Sequence, residues 1–518
     1  MAGFTFTELT PSAFLDRAGW VYRDRVAIED GQRSFTYAQF ADRAHRLAGA
    51  LAGLGVRPGD RVAALCVNSH VMLELHNGVP LAGAVLVPLN IRLSGGELAY
   101  IVEHSGARVL VATAELAGVA AGVAEATGAR LVLAGGSGDE YEHLLAAAAP
   151  LTVPCRDERG LLAISYTSGT TGRPKGVMYH HRGAYLQSLA AAFHARLTPA
   201  SVYLWTLPMF HCDGWCFTWA ATAAGATQVC LRAISPAEVW DLLRTRGVTH
   251  FAAAPTVLTM IVNAPEASAG PPLDPPAAVQ TGGAPPSPAL LTRMAAAGLQ
   301  VTHLYGLTET YGPIALNDWQ PEWNGKSPAQ QAVLQARQGV GNVIADRLRV
   351  AGPSGGDVPA DGQTIGELVC RGNDVMLGYY RDEAATAAAD LGGWFRTGDL
   401  AVMHPDGYAE IRDRAKDIII SGGENIASVE VERVLDSHPA VLESAVVGRP
   451  DDLWGEVPVA FVTLREAGGA SQDELTEHVR ARLAHFKAPK EIVLVTDLPK
   501  TSTGKIQKHV LRKQASDG

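Results

Sequence analysis

The sequence predicts an α/β protein with a large N-terminal domain of parallel-type sheets covered by helices and a small C-terminal α+β domain. Three observations predict this. The chain has 518 residues, too many for one hydrophobic core, so at least two domains are expected. Helical and strand-like apolar patterns alternate over the first 150 residues and again between about 200 and 310. Near residue 400 this texture gives way to a hairpin signal and a compact run of short elements.

Each element has a local reason. Phe40, Ala44, Leu47, Leu51 and Leu54 keep a helical period behind Ser34 and Thr36, which supply a helix start. The apolar runs 61–66, 84–89 and 107–112 read as buried strands, and strands spaced by helices imply parallel sheets covered on both faces. The proline-rich stretch 270–276 reads as an internal loop, because strand-like 277–280 follows at once. Residues 401–403 and 408–412 flank His404-Pro405-Asp406-Gly407, a turn sequence, and predict a hairpin. Beyond it, 418–420, 441–447, 457–464 and 492–495 read as strands and 428–437 as a short helix. Another helix starts at Ser471 with a Ser471/Glu474 capping box. The expected domains are therefore 1–413 and 414–518.

Composition narrows the function. Hydrophobic residues make up 47% and charged residues 19%, an ordinary globular balance, and the net charge of −10 argues against a nucleic-acid-binding surface. Local basic pockets for phosphates stay open. Cys212 and Cys216 sit beside His211, but no second Cys/His pair completes four metal ligands, so packing thiols are expected. Few cysteines in so long a chain suit a reducing, cytoplasmic setting. The first residues lack the basic and apolar regions of a signal peptide, and no apolar run approaches the ~20 residues of a membrane span. The oligomeric state is left open, a homo-oligomer being compatible with the chain.

The segment Tyr166-Thr167-Ser168-Gly169-Thr170-Thr171-Gly172-Arg173-Pro174-Lys175-Gly176 carries the strongest chemical signal. Glycines let backbone N–H groups crowd an anion, hydroxyls add donors and lysine adds charge. It departs from the P-loop pattern, because Pro174 precedes Lys175 and Gly176 follows it. On residues alone it suits a nucleotide polyphosphate or a plain surface loop. Tyr305-Gly306-Leu307-Thr308-Glu309-Thr310 follows a strand signal, which puts Thr308 and Glu309 at a sheet edge where α/β proteins bind ligands. Thr308 can donate to a phosphate oxygen, Glu309 can hold Mg²⁺, and Tyr305 offers an aromatic face, although a helix-start turn is the other reading. Thr281-Gly282-Gly283-Ala284-Pro285 is a second glycine-rich turn. Asp399, in Thr397-Gly398-Asp399, has two oxygens to accept two ribose hydroxyls. Ser421-Gly422-Gly423 gives a flat backbone able to wall a narrow channel, or a simple turn. Lys505 follows a glycine and precedes an apolar residue, so its loop can face inward, whereas Lys500 and Lys508 are expected to be solvated. His211 and Trp215 lie in Pro208-Met209-Phe210-His211-Cys212-Asp213-Gly214-Trp215-Cys216.

These motifs and their order resemble the adenylate-forming superfamily of acyl-CoA synthetases, peptide-synthetase adenylation domains and luciferases, over essentially the whole chain. Within it the chain is most similar to short- and medium-chain fatty acyl-CoA synthetases. The resemblance implies that Thr167, Ser168, Gly169, Thr170, Thr171, Gly172 and Lys175 hold ATP phosphates. It implies that Gly283, Ala284, Pro285, Tyr305 and Gly306 surround the adenine, and that Asp399, Ile411 and Arg414 hold the ribose and phosphate. Thr308 and Glu309 would be catalytic, with Glu309 on Mg²⁺. Lys505 would bridge the carboxylate and α-phosphate during adenylation. Lys416 would be the hinge of a mobile small domain, Gly422 and Gly423 the wall of the CoA tunnel, and His211 and Trp215 part of the acyl pocket.

The implied activity is an ATP-dependent carboxylic acid:CoA ligase working through an acyl adenylate and releasing AMP and pyrophosphate, with ATP, Mg²⁺, coenzyme A and a small carboxylic acid as its partners. Such chemistry needs positioning and charge neutralisation more than a protein nucleophile, and no Gly-x-Ser-x-Gly motif is present. Two other readings remain at this stage. One is a stand-alone adenylating enzyme of secondary metabolism that passes the acyl group to a carrier-protein thiol or an amine. The other is a catalytically silent nucleotide sensor, opposed by the intact Lys505, Glu309 and Asp399.

Overall fold

The computed structural model describes residues 5–167, 173–283, 286, 288–414, 416–422, 424–451, 453–466, 468–501 and 505–517. Two large sheets carry the N-terminal part. The first runs in the order Arg130–Ala134, Ala107–Thr113, Arg61–Leu65, Val85–Pro88, Leu161–Thr167, Lys175–His180. It is parallel except for its last strand, which returns antiparallel to Leu161–Thr167. The second runs Val340–Gly341, Gly312–Leu316, Leu299–Leu307, Ala277–Thr281, His250–Ala253, Val202–Trp205, Thr227–Cys230, Val26–Asp30, Arg33–Thr36. Its interior strands are parallel, and antiparallel strands flank them on both sides. Continuous burial along these strands is what the unbroken apolar runs require.

The helix Tyr37–Gly53 begins as the sequence predicts. Thr36 accepts from the Gln39 N–H, and the Gln39 side chain accepts from the Thr36 N–H in return. Phe40, Ala44, Leu47 and Leu51 form its buried stripe. The helix His70–Leu81 is buried along its whole length and packs on strands of both sheets. One core cluster therefore runs through the two sheets and ties them into a single body.

A third, antiparallel sheet orders Arg349–Ala351, Gly366–Cys370, Phe395–Met403 and Ala409–Arg414. The predicted hairpin at 404–407 is its last connection. The chain then builds a sheet from Ile419–Ser421, Glu424–Ile426, Val441–Asp451, Gly455–Leu464 and Glu491–Leu494, with its own core around Val431, Leu435, Val446, Val462 and Leu475. Only half of the capping box at Ser471 forms. Ser471 accepts from the Glu474 N–H, while the Glu474 carboxylate turns to His438 at 3.5 Å.

The expectation that Lys500 and Lys508 are solvated is wrong. The C-terminal helix Lys508–Asp517 packs on Val441–Asp451 and brings Lys508 to Glu432 at 2.7 Å and to the Ser428 hydroxyl at 2.6 Å. Lys500 pairs with Glu443 at 2.5 Å. Further contacts join this region to the preceding sheet. Arg433 reaches Glu410 at 2.9 Å, and Asp413 accepts from the Ser428 N–H at 2.5 Å and its hydroxyl at 2.6 Å.

Candidate active site

The hairpin of Leu161–Thr167 and Lys175–His180 pairs Thr167 with Lys175. Ser168, Gly169, Thr170, Thr171 and Gly172 lie outside the described residues. Lys175 sits 3.9 Å from Asp382 and 4.9 Å over the ring of Tyr379. The Tyr379 hydroxyl donates to Glu309 Oε1 at 2.8 Å. A lysine at the loop and a carboxylate on the second sheet are thus held around one phenol.

Thr308–Thr310 forms a tight turn directly after the strand Leu299–Leu307. Its backbone is fixed by the Tyr179 hydroxyl donating to the Thr308 carbonyl at 2.6 Å and by the Met376 N–H donating to the Glu309 carbonyl at 2.9 Å. The Cys212 thiol donates to Thr308 Oγ1 at 3.6 Å. Glu309 gives one oxygen to Tyr379. A single carboxylate suits Mg²⁺, which binds through one or two carboxylates plus substrate phosphates. Among the described residues no group of three or more His, Cys, Asp or Glu could hold a metal by itself, and every described cysteine is a free thiol.

Asp399 and Arg414 are register partners in the third sheet, and Arg414 Nε lies 3.1 Å from Asp399 Oδ1. The other Asp399 oxygen accepts from the Tyr305 hydroxyl at 2.6 Å. This bond and deep burial leave Tyr305 without a freely exposed face. Gly306 lies so close to Gly312 that an added Cβ would sit 1.8 Å from its carbonyl oxygen. Gly283 adopts φ +89°, which favours glycine, while Ala284 and Pro285 lie outside the described residues. Ile411 donates its N–H to the Gln338 side chain at 2.6 Å.

The loop carrying Lys505 comes from the far end of the chain. Thr501 and Lys505 bond each other across it, from the Thr501 N–H to the Lys505 carbonyl at 2.7 Å and from the Lys505 N–H to Thr501 Oγ1 at 3.1 Å. Lys505 is exposed and lies within electrostatic reach of Arg414, Lys416, Asp399 and Asp417. Lost hydration, then the positive charges of Arg414 and Lys416, lower it to about 8 against the pull of Asp399 and Asp417. His211 feels Lys505 as well; burial first, then that charge, lowers its imidazole to about 4, so it is neutral at pH 7. Lys416 is exposed, and its carbonyl accepts from Arg512 at 3.2 Å. Gly422 has φ +60° and donates to the Trp454 carbonyl at 2.7 Å, with half-exposed Trp454 so close that any Cβ would strike its ring. Gly423 lies outside the described residues.

Sequence reasoning missed the form of the segment that carries Trp215. Cys212, Asp213, Gly214, Trp215 and Cys216 all have positive φ, between 49° and 63°, giving a short left-handed turn. Such backbone costs roughly 1–2 kcal/mol per non-glycine residue, so tertiary contacts must hold it. Asp213 is fully buried and does this. Its Oδ2 accepts from Ser165 at 3.3 Å, its carbonyl accepts from Thr218 at 3.1 Å, and its Oδ1 faces His76 Nε2 at 3.2 Å. The only hint in sequence was a polar trio, His76, Ser165 and Asp213, inside apolar runs. Trp215 forms one wall of a cavity of about 30 Å³ lined by the helix His181–Ala195 and the strands Ala277–Thr281, Leu299–Leu307 and Gly312–Leu316. Ala190, Ala191 and Ala195 leave this space because their side chains are short.

The chain matches the model of the AMP-binding enzyme family over residues 15–380 and that of the AMP-binding enzyme C-terminal domain over 430–505. The chain belongs to the AMP-binding enzyme family. It is 44% identical to the peroxisomal acetate/butyrate–CoA ligase AAE7 of Arabidopsis thaliana, over 99% of this chain and 95% of that one. It is 43% identical to the acetate–CoA ligase CCL3 of Humulus lupulus over the same shares. Among solved structures, ATP-bound MatB from Rhodopseudomonas palustris superposes with a TM-score of 0.86 at 30% identity, covering 98% of this chain and 99% of that one. The chain is an AMP-forming acid–thiol ligase that joins a carboxylic acid to CoA at the expense of ATP through an acyl adenylate. No helix among the described residues is long and apolar enough to cross a membrane.

Proposed function

We propose that this ligase activates a short-chain carboxylic acid, and that the residues named from the sequence divide the work as follows. The observation that carries the reading is that Asp399, paired with Arg414 at 3.1 Å, stands within electrostatic reach of Lys505 from the C-terminal end, which His211 feels as well. Asp399 takes the ribose hydroxyls and Arg414 orients the carboxylate. Thr308 donates to phosphate oxygens. Lys175 neutralises the leaving pyrophosphate, and Glu309 holds Mg²⁺, which supplies further charge neutralisation when bound. Lys505 places its ammonium between the acid carboxylate and the α-phosphate, where negative oxygens converge during attack. Neutral His211 and Trp215 face the acyl group.

The domains are proposed as 1–413 and 414–518. After adenylation the smaller one turns about Lys416, and Gly422 and Gly423 then admit the thiol arm of CoA. Short acids fit the cavity beside Trp215. Its volume of about 30 Å³ exceeds what one water needs, roughly 10–15 Å³, by only a few atoms. Its described lining includes no Asp, Glu, Lys or Arg, which disfavours dicarboxylates and amino acids. A cytoplasmic setting fits the free thiols.

The test measures ATP–pyrophosphate exchange and CoA-dependent AMP release over straight-chain acids of two to ten carbons, a dicarboxylate and an aromatic acid. The reading expects both activities, greatest at two to five carbons. Preference for eight carbons or more, or for the dicarboxylate, would overturn the short-chain assignment.

A further inference from the structure

The cavity beside Trp215 is lined mainly by apolar side chains, with Gln187, His194, Gln280, Thr302 and Asn342 as its polar members. Gln280 is 4% exposed and lines it, and its Oε1 has no hydrogen-bond partner. An amide end buried without a partner costs about 1–3 kcal/mol, and such atoms are rare in folded proteins. The other polar residues nearby are already engaged. Gln187 donates to the Pro313 carbonyl at 2.7 Å and accepts from Asn342 at 3.1 Å, and His194 Nε2 accepts from the Val343 N–H at 3.2 Å. Burial lowers His194 below its ordinary range, so it adds no positive charge at pH 7. Thr302 is the register partner of Gln280 on the adjacent parallel strand, which puts its hydroxyl on the same face of the sheet, and it too lines the cavity.

An orphaned acceptor beside a hydroxyl, in an uncharged cavity a few atoms in size, describes a receptor for one neutral group that can both donate and accept. A plain alkyl chain would bury Gln280 unsatisfied in the bound state as well. Resting on the proposed short-acid reading, we propose that the preferred substrates are short hydroxy acids, whose hydroxyl donates to Gln280 and accepts from Thr302. Sites built to bind a substrate hydroxyl discriminate strongly against analogues that lack it.

The experiment compares kcat/KM for CoA-dependent AMP release with 3-hydroxybutyrate, 4-hydroxybutyrate, butyrate and valerate, in the wild type, Gln280→Leu and Thr302→Val. The wild type is expected to favour one hydroxy acid over the alkyl acid of matching length by at least about tenfold. Gln280→Leu should erase or invert that ratio and raise the rate on valerate, and Thr302→Val should reduce the ratio by a smaller factor. Alkyl acids used as well as hydroxy acids by the wild type would overturn the inference while leaving the short-acid ligase intact. An unchanged ratio in Gln280→Leu would do the same. No AMP release with any of the four acids would overturn this inference, and the same result with acetate and propionate added would sink the short-acid reading as well. The wild-type comparison decides the matter even if a variant fails to fold.

Discussion

Raising the pH from 7 to 9 should slow adenylation about tenfold, because it removes the proton from Lys505. The group is held at about 8, first by lost hydration in the cleft and then by Arg414 and Lys416. A lowered lysine loses its charge earlier than usual as pH rises, so a step that needs the ammonium fades through that value. The protonated fraction falls from about 0.9 at pH 7 to about 0.1 at pH 9, whereas a lysine near 10.4 would still be almost fully charged. The assay is kcat/KM for ATP in pyrophosphate exchange, since this ratio reports groups of the free enzyme. Lys505→Arg should flatten the alkaline limb, because a guanidinium stays charged throughout. Lys505→Ala should cost about 10²–10³ in rate and also remove the limb. It should largely spare thioester formation from a preformed acyl adenylate. A wild-type profile flat to pH 9.5, or an alanine variant with near-normal exchange, would refute the placement of this charge in the reaction.

Other perturbations test separate parts. Glu309→Gln should raise the Mg²⁺ concentration needed for half-maximal exchange, because an amide is a poorer ligand for a hard cation; an unchanged requirement would make Glu309 only a partner of Tyr379. Lys416→Pro confines one backbone angle, so CoA-dependent turnover should fall more than exchange does. Equal losses with a lowered melting temperature would point to a folding defect instead. Asp213→Ala removes the acceptor of the Ser165 hydroxyl and the carboxylate that faces His76, and should cost about 1–3 kcal/mol in denaturant unfolding. A loss below about 1 kcal/mol would mean that the pair contributes little.

The parallel sheets and the helix Tyr37–Gly53 were legible because their signals are local. Unbroken apolar runs, a helical period and a cap lie within a few residues of one another. Thr308 and Glu309 were legible as polar residues in a turn next to a strand, whereas Asp399, which reads as part of a Thr-Gly-Asp turn, lies inside the strand Phe395–Met403. Other features depend on chain from elsewhere. Lys500 and Lys508 look like solvated tail lysines until the last helix docks on Glu432 and Glu443. Glu474 satisfies its own cap in sequence but answers to His438 in space. The left-handed turn at 212–216 goes against the preference of most of its residues, and only Asp213, Ser165 and His76 together make it tenable. Gln280 reads as one polar residue in a strand. Its meaning comes from the alanines of a helix nearly a hundred positions earlier, which leave the space that it faces.

The left-handed turn also bears on how natural variation in this chain should be interpreted. His76 and Ser165 lie on a buried helix and a central strand, where substitutions are usually judged by whether the fold survives. Here they also hold a segment whose intrinsic preference is to unwind, and that segment carries His211 at one end and Trp215 within it. A mild change at either position can therefore leave most of the molecule folded while loosening the turn that carries Trp215.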